Sequence, residues 1–191
     1  MKRIAITGGI ASGKSYVCRI IERLDYPIFY CDDAAKKIIR TDHDVMEALK
    51  KIVGDDLYTP ELRLEKQKLA NFICGSLENA KRINAVVHPH VRNAYREWVG
   101  RQRSELVFME CPLFYEANFE EEADKVICVF TPEPLRLKRF MERENITQER
   151  AEQWIKLQMP QEEKCKRADF VITNDGIKNL KMQIDSVLNS I

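Results

Sequence analysis

The sequence predicts an α/β protein, a parallel β-sheet flanked by helices and carrying a helical insert. Three observations predict it. Short apolar runs at residues 4–7, 27–31, 106–110, 125–130 and 170–173 alternate with stretches of helical periodicity, the order a parallel sheet with crossover helices requires. The run Val126-Ile127-Cys128-Val129-Phe130 is apolar throughout, as strands covered on both faces are. The first run leads into Gly8-Gly9-Ile10-Ala11-Ser12-Gly13-Lys14-Ser15, a complete G-x-x-x-x-G-K-[ST] pattern.

The first strand, Ile4–Thr7, sets the context that makes this pattern informative. Its fixed positions match by chance in roughly one chain in a hundred of this length, and the preceding strand lowers that further. After the loop, Val17, Ile20, Ile21 and Leu24 recur at helical spacing. Strand, glycine-rich loop and helix therefore follow in the order that gathers backbone N–H groups around a polyphosphate, with the positive helix end aimed at the anion. Lys14 is expected to reach the β- and γ-phosphates and the Ser15 hydroxyl to ligate Mg²⁺. Gly9, Ile10, Ala11, Ser12, Gly13, Lys14, Ser15 and Tyr16 are the candidate nucleotide contacts. A nucleoside triphosphate with magnesium is implied; kinase, switch, motor and ATPase stay open on the loop alone.

The second strand, 27–31, closes on Tyr30-Cys31-Asp32-Asp33. A carboxylate at the carboxyl end of a strand in an open α/β sheet can face a ligand. Asp32 or Asp33 is equally suited to cap the helix that Ala34-Ala35-Lys36-Lys37-Ile38-Ile39 begins, and two adjacent carboxylates allow one to cap and the other to serve as base. From about 32 to 104 the pattern is helical with almost no strand signal, so an inserted helical subdomain is expected. It contains His88-Pro89-His90, readable either as a helix end before proline or as a substrate contact. The third strand, Leu106–Glu110, ends on a carboxylate where a Walker-B residue stands. Beyond the fourth strand, residues 134–166 form a basic helical stretch with Arg136, Lys138, Arg139 and Arg143; the interspersed acids read most of these as a solvated helix surface, with one or two left to face phosphate. The fifth strand runs into the turn Asn174-Asp175-Gly176, and Leu180, Ile184 and Leu188 mark a final helix.

At 191 residues and 45% hydrophobic content, the chain suits one domain with room for a subdomain. Its 31 basic and 30 acidic side chains nearly cancel, so no global field recommends nucleic acid or an anionic membrane as partner. Cysteines 18, 31, 74, 111, 128 and 165 include no C-x-x-C pair and no His/Cys spacing suited to zinc, and read as small buried hydrophobes in a reducing compartment. No apolar run approaches the length needed to span a membrane. A cytoplasmic protein acting on a small molecule is expected, a monomer or at most a weak oligomer. A GTP switch is excluded, because neither N-K-x-D nor D-x-x-G stands where that class needs it.

Five ordered motifs resemble the dephospho-coenzyme A kinase family over essentially the whole chain. They are Ile6 to Ser15, Tyr30-Cys31-Asp32 in place of D-A-D, His88-Pro89, Glu110-Cys111-Pro112-Leu113-Phe114-Tyr115-Glu116, and Ala168-Asp169-Phe170-Val171-Ile172-Thr173-Asn174-Asp175-Gly176. The resemblance implies a P-loop NTPase fold like that of nucleoside-monophosphate kinases, in a single domain. Its core would be about 1–31, 105–133 and 168–191, its helical substrate subdomain about 32–104 and its helical lid about 134–167. It implies phosphorylation of the ribose 3′-hydroxyl of dephospho-coenzyme A by ATP with Mg²⁺. Asp32 would be the base or orienting group, with Lys14 and the lid residue Arg139 also catalytic. His88 and Glu110 would lie on the substrate side, and Asn174 and Gly176 near the adenine. The chain departs from the family pattern at Ala11, Tyr16, Tyr30 and Glu110; Ala11 is expected to hold negative φ where the usual glycine is free. The rivals are another small-molecule, nucleoside or nucleotide kinase of this architecture, and a non-catalytic nucleotide-binding protein.

Overall fold

A computed structural model describes all 191 residues. The strands are β1 (Lys2–Thr7), β2 (Ile28–Tyr30), β3 (Leu106–Glu110), β4 (Lys125–Phe130) and β5 (Phe170–Thr173). They form one parallel sheet in the order β2-β3-β1-β4-β5. Nine α-helices connect them: α1 (Lys14–Glu22), α2 (Cys31–Thr41), α3 (His43–Val53), α4 (Lys66–Gly75), α5 (Leu77–Gly100), α6 (Glu133–Glu144), α7 (Gln148–Lys156), α8 (Gln161–Arg167) and α9 (Leu180–Leu188). β1 is the central strand, and its Ile4, Ala5 and Ile6 are fully buried. Its carboxyl end therefore opens at the middle of the sheet, with β3 on one side and β4 on the other, the place where open α/β sheets bind ligands.

The chain divides into two compact units, Met1–Tyr30 with Val99–Ile191, and Cys31–Trp98. In the sheet unit, Ile4, Ile6, Phe108, Ile127, Val129 and Ile172 meet Val17, Cys18 and Ile21 of α1 and Ile184 and Val187 of α9. Two further side chains from the motifs tie this unit together. Asp169 accepts from the Val126 amide at 2.8 Å and from Lys125 Nζ at 2.7 Å. Lys164 is fully buried and donates to Glu116 Oε1 at 2.8 Å and to the Pro112 carbonyl, which supplies the paired charge and hydrogen bonds that a buried ammonium needs.

In the helical unit, α3 starts at Asp42, whose Oδ1 accepts from the Val45 amide at 3.1 Å while Oδ2 lies 3.3 Å from His90 Nδ1. The Tyr58 hydroxyl donates to the Ile39 carbonyl at 2.8 Å, and burial pushes its pKa up to about 12.

Three local expectations are corrected. The second strand stops at Tyr30 and Cys31 already opens α2, so Asp32 and Asp33 occupy the first helical turn instead of the cap, where their charge favours the positive helix end. α5 does not stop before Pro89: it runs through for 24 residues, because buried Val87 and Val91 hold the turns on either side while the proline ring faces solvent. The basic stretch after β4 is three helices. Asn145, in the left-handed region at φ 52, ends α6, Thr147 caps α7 through the Arg150 amide, and Pro160 precedes α8.

Asp124, just before β4, fastens the start of β1. Its Oδ2 accepts from the Arg3 amide and its Oδ1 from Arg3 Nη2, both at 2.7 Å. The Arg3 guanidinium holds the Asp124 carboxyl below the usual carboxylate range, against partial burial and with help from the Arg3 amide. A carboxyl depressed in the folded state adds stability above its unfolded pKa, and this is lost as pH falls through the folded pKa. Asp124→Asn is expected to cost about 1 kcal/mol near pH 7, the value being small because the pair is partly exposed. In thermal melts from pH 7 downward, the gap from wild type should close below about pH 4.

Candidate active site

Between β1 and α1 the loop of residues 8–13 turns the chain, with the Ser12 amide donating to the Gly9 carbonyl at 3.1 Å. Gly13 stands immediately before α1 at φ 88, a conformation costly for any residue with a Cβ, and no side chain caps the helix behind it. A Cβ there would also lie 2.0 Å from Asn174 Nδ2. The uncapped N–H groups remain available for an anion. Lys14 is buried, 7% exposed, and its Nζ folds back to donate to the Gly8 and Gly9 carbonyls, each at 3.0 Å. Ser15 is exposed in the first turn of α1.

The loop is braced from below. Thr131, just past β4, places Oγ1 2.9 Å from the Ser12 carbonyl and 2.8 Å from the Asn174 carbonyl, and Asn174 Nδ2 donates to the same Ser12 carbonyl at 2.9 Å. Gln161 clamps the Thr131 backbone by accepting from its amide at 3.2 Å and donating to its carbonyl at 2.9 Å. From the segment between α7 and α8, Gln158 Oε1 accepts from the Ile10 amide at 3.1 Å.

Ala11 does not take the negative φ expected of it. It sits at φ 57, in the left-handed region, because the loop geometry fixed by Ser12 and Gly13 demands that turn whatever residue fills it. An alanine there is strained by about 1–2 kcal/mol. Tyr30, which replaces an acidic residue of the family motif, donates its hydroxyl to Glu22 Oε1 at 2.9 Å, so it joins β2 to the end of α1.

Two arginines on α6 approach the loop. Arg136 is only 4% exposed, and its guanidinium lies over Gly9 so closely that a Cβ at Gly9 would stand 1.9 Å from Nη1. Burial lowers its pKa, with Glu133 and Glu162 opposing the shift, and its Nε has no hydrogen-bond partner. A buried cation aimed at an anion-binding loop with bonding capacity unused is built for a ligand. Charge patterning grouped Arg136 with solvated residues; the signal that distinguishes it is its place one turn before Phe140, on the buried face of α6. Arg139 donates to the Asn174 carbonyl at 3.4 Å and, with Gly13, Tyr16, Ile20, Asn174 and Gly176, lines a cleft of about 550 Å³. The exposed Tyr16 ring forms one wall of that cleft, with the Arg19 guanidinium 5.7 Å from its centre.

Glu110 is buried at the end of β3, in register with Ile6 of β1 and Tyr30 of β2. It offers a hard carboxylate oxygen in the row of strand ends from which the loop departs. No cluster of three His, Cys, Asp or Glu side chains forms a metal cage. A Ser15 hydroxyl and one carboxylate nevertheless fit Mg²⁺, which takes most of its ligands from phosphate and water. Asp32 lies in the first turn of α2 and His88 half-buried in α5, both in the helical unit; the other candidate residues belong to the sheet unit.

A central parallel strand feeding a braced G-x-x-x-x-G-K-S loop, with a buried arginine over its glycines, defines the class of P-loop kinases. Within that class, a family model described as Dephospho-CoA kinase matches residues 2–179. A dephospho-CoA kinase of Bacteroides fragilis is 37% identical over 183 residues, 95% of this chain and 89% of that protein. Among solved structures, TT1252 from Thermus thermophilus superposes with a TM-score of 0.81 at 31% identity, over 99% of this chain and 95% of that one. The dephospho-CoA kinase of Campylobacter jejuni gives 0.69 at 27%, over 98% and 96%. The chain belongs to the dephospho-CoA kinase family.

Ala11→Gly is expected to relieve the loop. The relief, less the extra chain entropy of glycine, leaves a gain of about 0.5–1 kcal/mol. Calorimetry should show a melting temperature higher by about 1–4 °C, whereas Ala11→Val should lower it.

Proposed function

We propose that the protein transfers the γ-phosphoryl group of ATP to the ribose 3′-hydroxyl of dephospho-CoA, giving CoA and ADP. The observation that carries the reading is the anion-ready loop at the end of β1, with Lys14 folded across it and Arg136 buried over Gly9. The family of the chain supplies the acceptor.

In this reading the amides of residues 9–15 and Lys14 hold the β- and γ-phosphates, and Arg136 turns its unused Nε–H and its Nη groups toward the charge. Arg139, Asn174 and Gly176 hold the adenosine side in the cleft, where the Tyr16 ring offers an apolar wall in place of the hydroxyl the family usually has. The 3′-oxygen attacks the γ-phosphorus in line, the bond to the β-γ bridging oxygen breaks, and the hydroxyl proton passes to Asp32. Asp32 suits that role because it follows Tyr30 by two residues, at the carboxyl end of β2. Ser15 and Glu110 are the residues to hold Mg²⁺, which when bound neutralises phosphate charge. By the family resemblance, Glu110 and His88 serve the acceptor. Helices α6 to α8 act as the lid that excludes water. No helix is long and apolar enough to cross a membrane. We place the enzyme in the cytoplasm as a monomer without nucleic-acid partners.

Purified protein with Mg-ATP is expected to release ADP with dephospho-CoA as acceptor, at least a hundredfold faster than with AMP, adenosine or shikimate in a coupled assay. Turnover indistinguishable from the no-acceptor background would overturn the proposal. Asp32→Asn should keep ATP affinity within about twofold and lose kcat by about 10²–10⁴-fold. Near-normal kcat in that variant would reduce Asp32 to a residue that only favours the start of α2.

A further inference from the structure

Behind the loop, Cys128 of β4 and Cys165 of α8 lie with their sulfurs 3.2 Å apart, close enough to share a thiol proton. All six cysteines are free thiols. Cys128 is fully buried, whereas Cys165 is partly exposed. We propose that this pair is a redox modification site, a dithiol that peroxides or low-molecular-weight disulfides convert into an intramolecular disulfide fastening α8 to β4. The sulfurs need approach by only about 1.2 Å to reach bonding distance, which side-chain rotation supplies without moving the sheet.

The two thiols are unequal in the way that oxidation requires. The hydrogen bond with Cys128 lowers the Cys165 pKa, assisted by Arg136 and opposed by burial and Glu162. The Cys128 pKa is raised by that same hydrogen bond and by burial. Cys165 is thus the more accessible and the more readily ionised of the two thiols, and it reacts first. With hydrogen peroxide, the Cys165 thiolate attacks one oxygen, the O–O bond breaks, and Cys165 sulfenic acid and hydroxide form. Cys128 sulfur then attacks the sulfenic sulfur, its proton leaves with the departing hydroxyl as water, and the S–S bond closes. The two sulfurs together lose two electrons, and peroxide is reduced to water.

The position gives the bond a consequence. Cys128 and Cys165 are separated by 37 in sequence, and the closed span contains α6 and α7. α8 begins with Gln161, which clamps Thr131 beneath the Ser12 carbonyl. Three residues earlier, Gln158 holds the Ile10 amide that a phosphate must take over. A fastened α8 holds Gln158 in place, so the disulfide weakens ATP binding. This consequence rests on the proposed ATP site; the disulfide itself does not.

The test treats the intact protein with hydrogen peroxide or oxidised glutathione and follows it by intact mass and peptide mapping. The expected product is lighter by two hydrogens, joins the Cys128 and Cys165 peptides, returns to the dithiol with dithiothreitol, and melts about 5–10 °C higher. Cys128→Ser should instead collect sulfenic acid or a glutathione adduct at Cys165, and Cys165→Ser should leave Cys128 unmodified. Oxidised wild type is expected to bind ATP about 3–10-fold more weakly by titration calorimetry, reversibly. Cys165 ending as a sulfinic acid or mixed disulfide in the wild type, with no link to Cys128, would overturn the site. A link that leaves ATP affinity unchanged would overturn its coupling to the loop. Mass and melting readouts do not involve turnover, so a protein inactive on dephospho-CoA would defeat the proposed reaction and leave the disulfide standing.

Discussion

Everything in the sheet unit is arranged around one carbonyl, that of Ser12. A phosphate loop binds tightly only if its amides already face inward when the anion arrives; otherwise ordering the backbone would consume much of the binding energy. Here Thr131 and Asn174 both hold Ser12 O, and Gln161 holds Thr131 in turn. The peptide between Ser12 and Gly13 is therefore held in one orientation, just before the uncapped start of α1. That single orientation requires the left-handed turns at Ala11 and Gly13. It also explains why residues from the far ends of the chain, 131 and 174, meet a loop that begins at residue 8.

The departures from the family pattern acquire different meanings once this bracing is seen. Ala11 is strained because the brace does not yield, and the cost stays local. Tyr30 has left acid chemistry for packing and a hydrogen bond to Glu22. Tyr16 turns a ring to the cleft instead of a small hydroxyl.

Much of this was legible in the sequence, and unevenly. Five apolar runs marked five strands, since strands covered on both faces must be apolar along their length, and the spacing of Val17, Ile20 and Ile21 marked α1. Pro89 misled, because its local penalty is real but smaller than the packing of Val87 and Val91 around it. Arg136 misled for the opposite reason. Charge patterning reads an arginine as solvated unless a partner is known, and what this one covers is the backbone of Gly9, far from Arg136 along the chain.

What the sequence determined by itself was the order of elements and the chemistry of the loop, because periodicity and the glycine-lysine pattern act between near neighbours along the chain. It could also name Lys14, Ser15, Asp32 and Glu110 as candidates, from their places at strand or helix ends. Only the tertiary structure decided that Ala11 is left-handed, that Arg136 covers Gly9, and that Cys128 faces Cys165. Each depends on the packing of segments distant in sequence, and only folding fixes which of the many possible pairs come into contact.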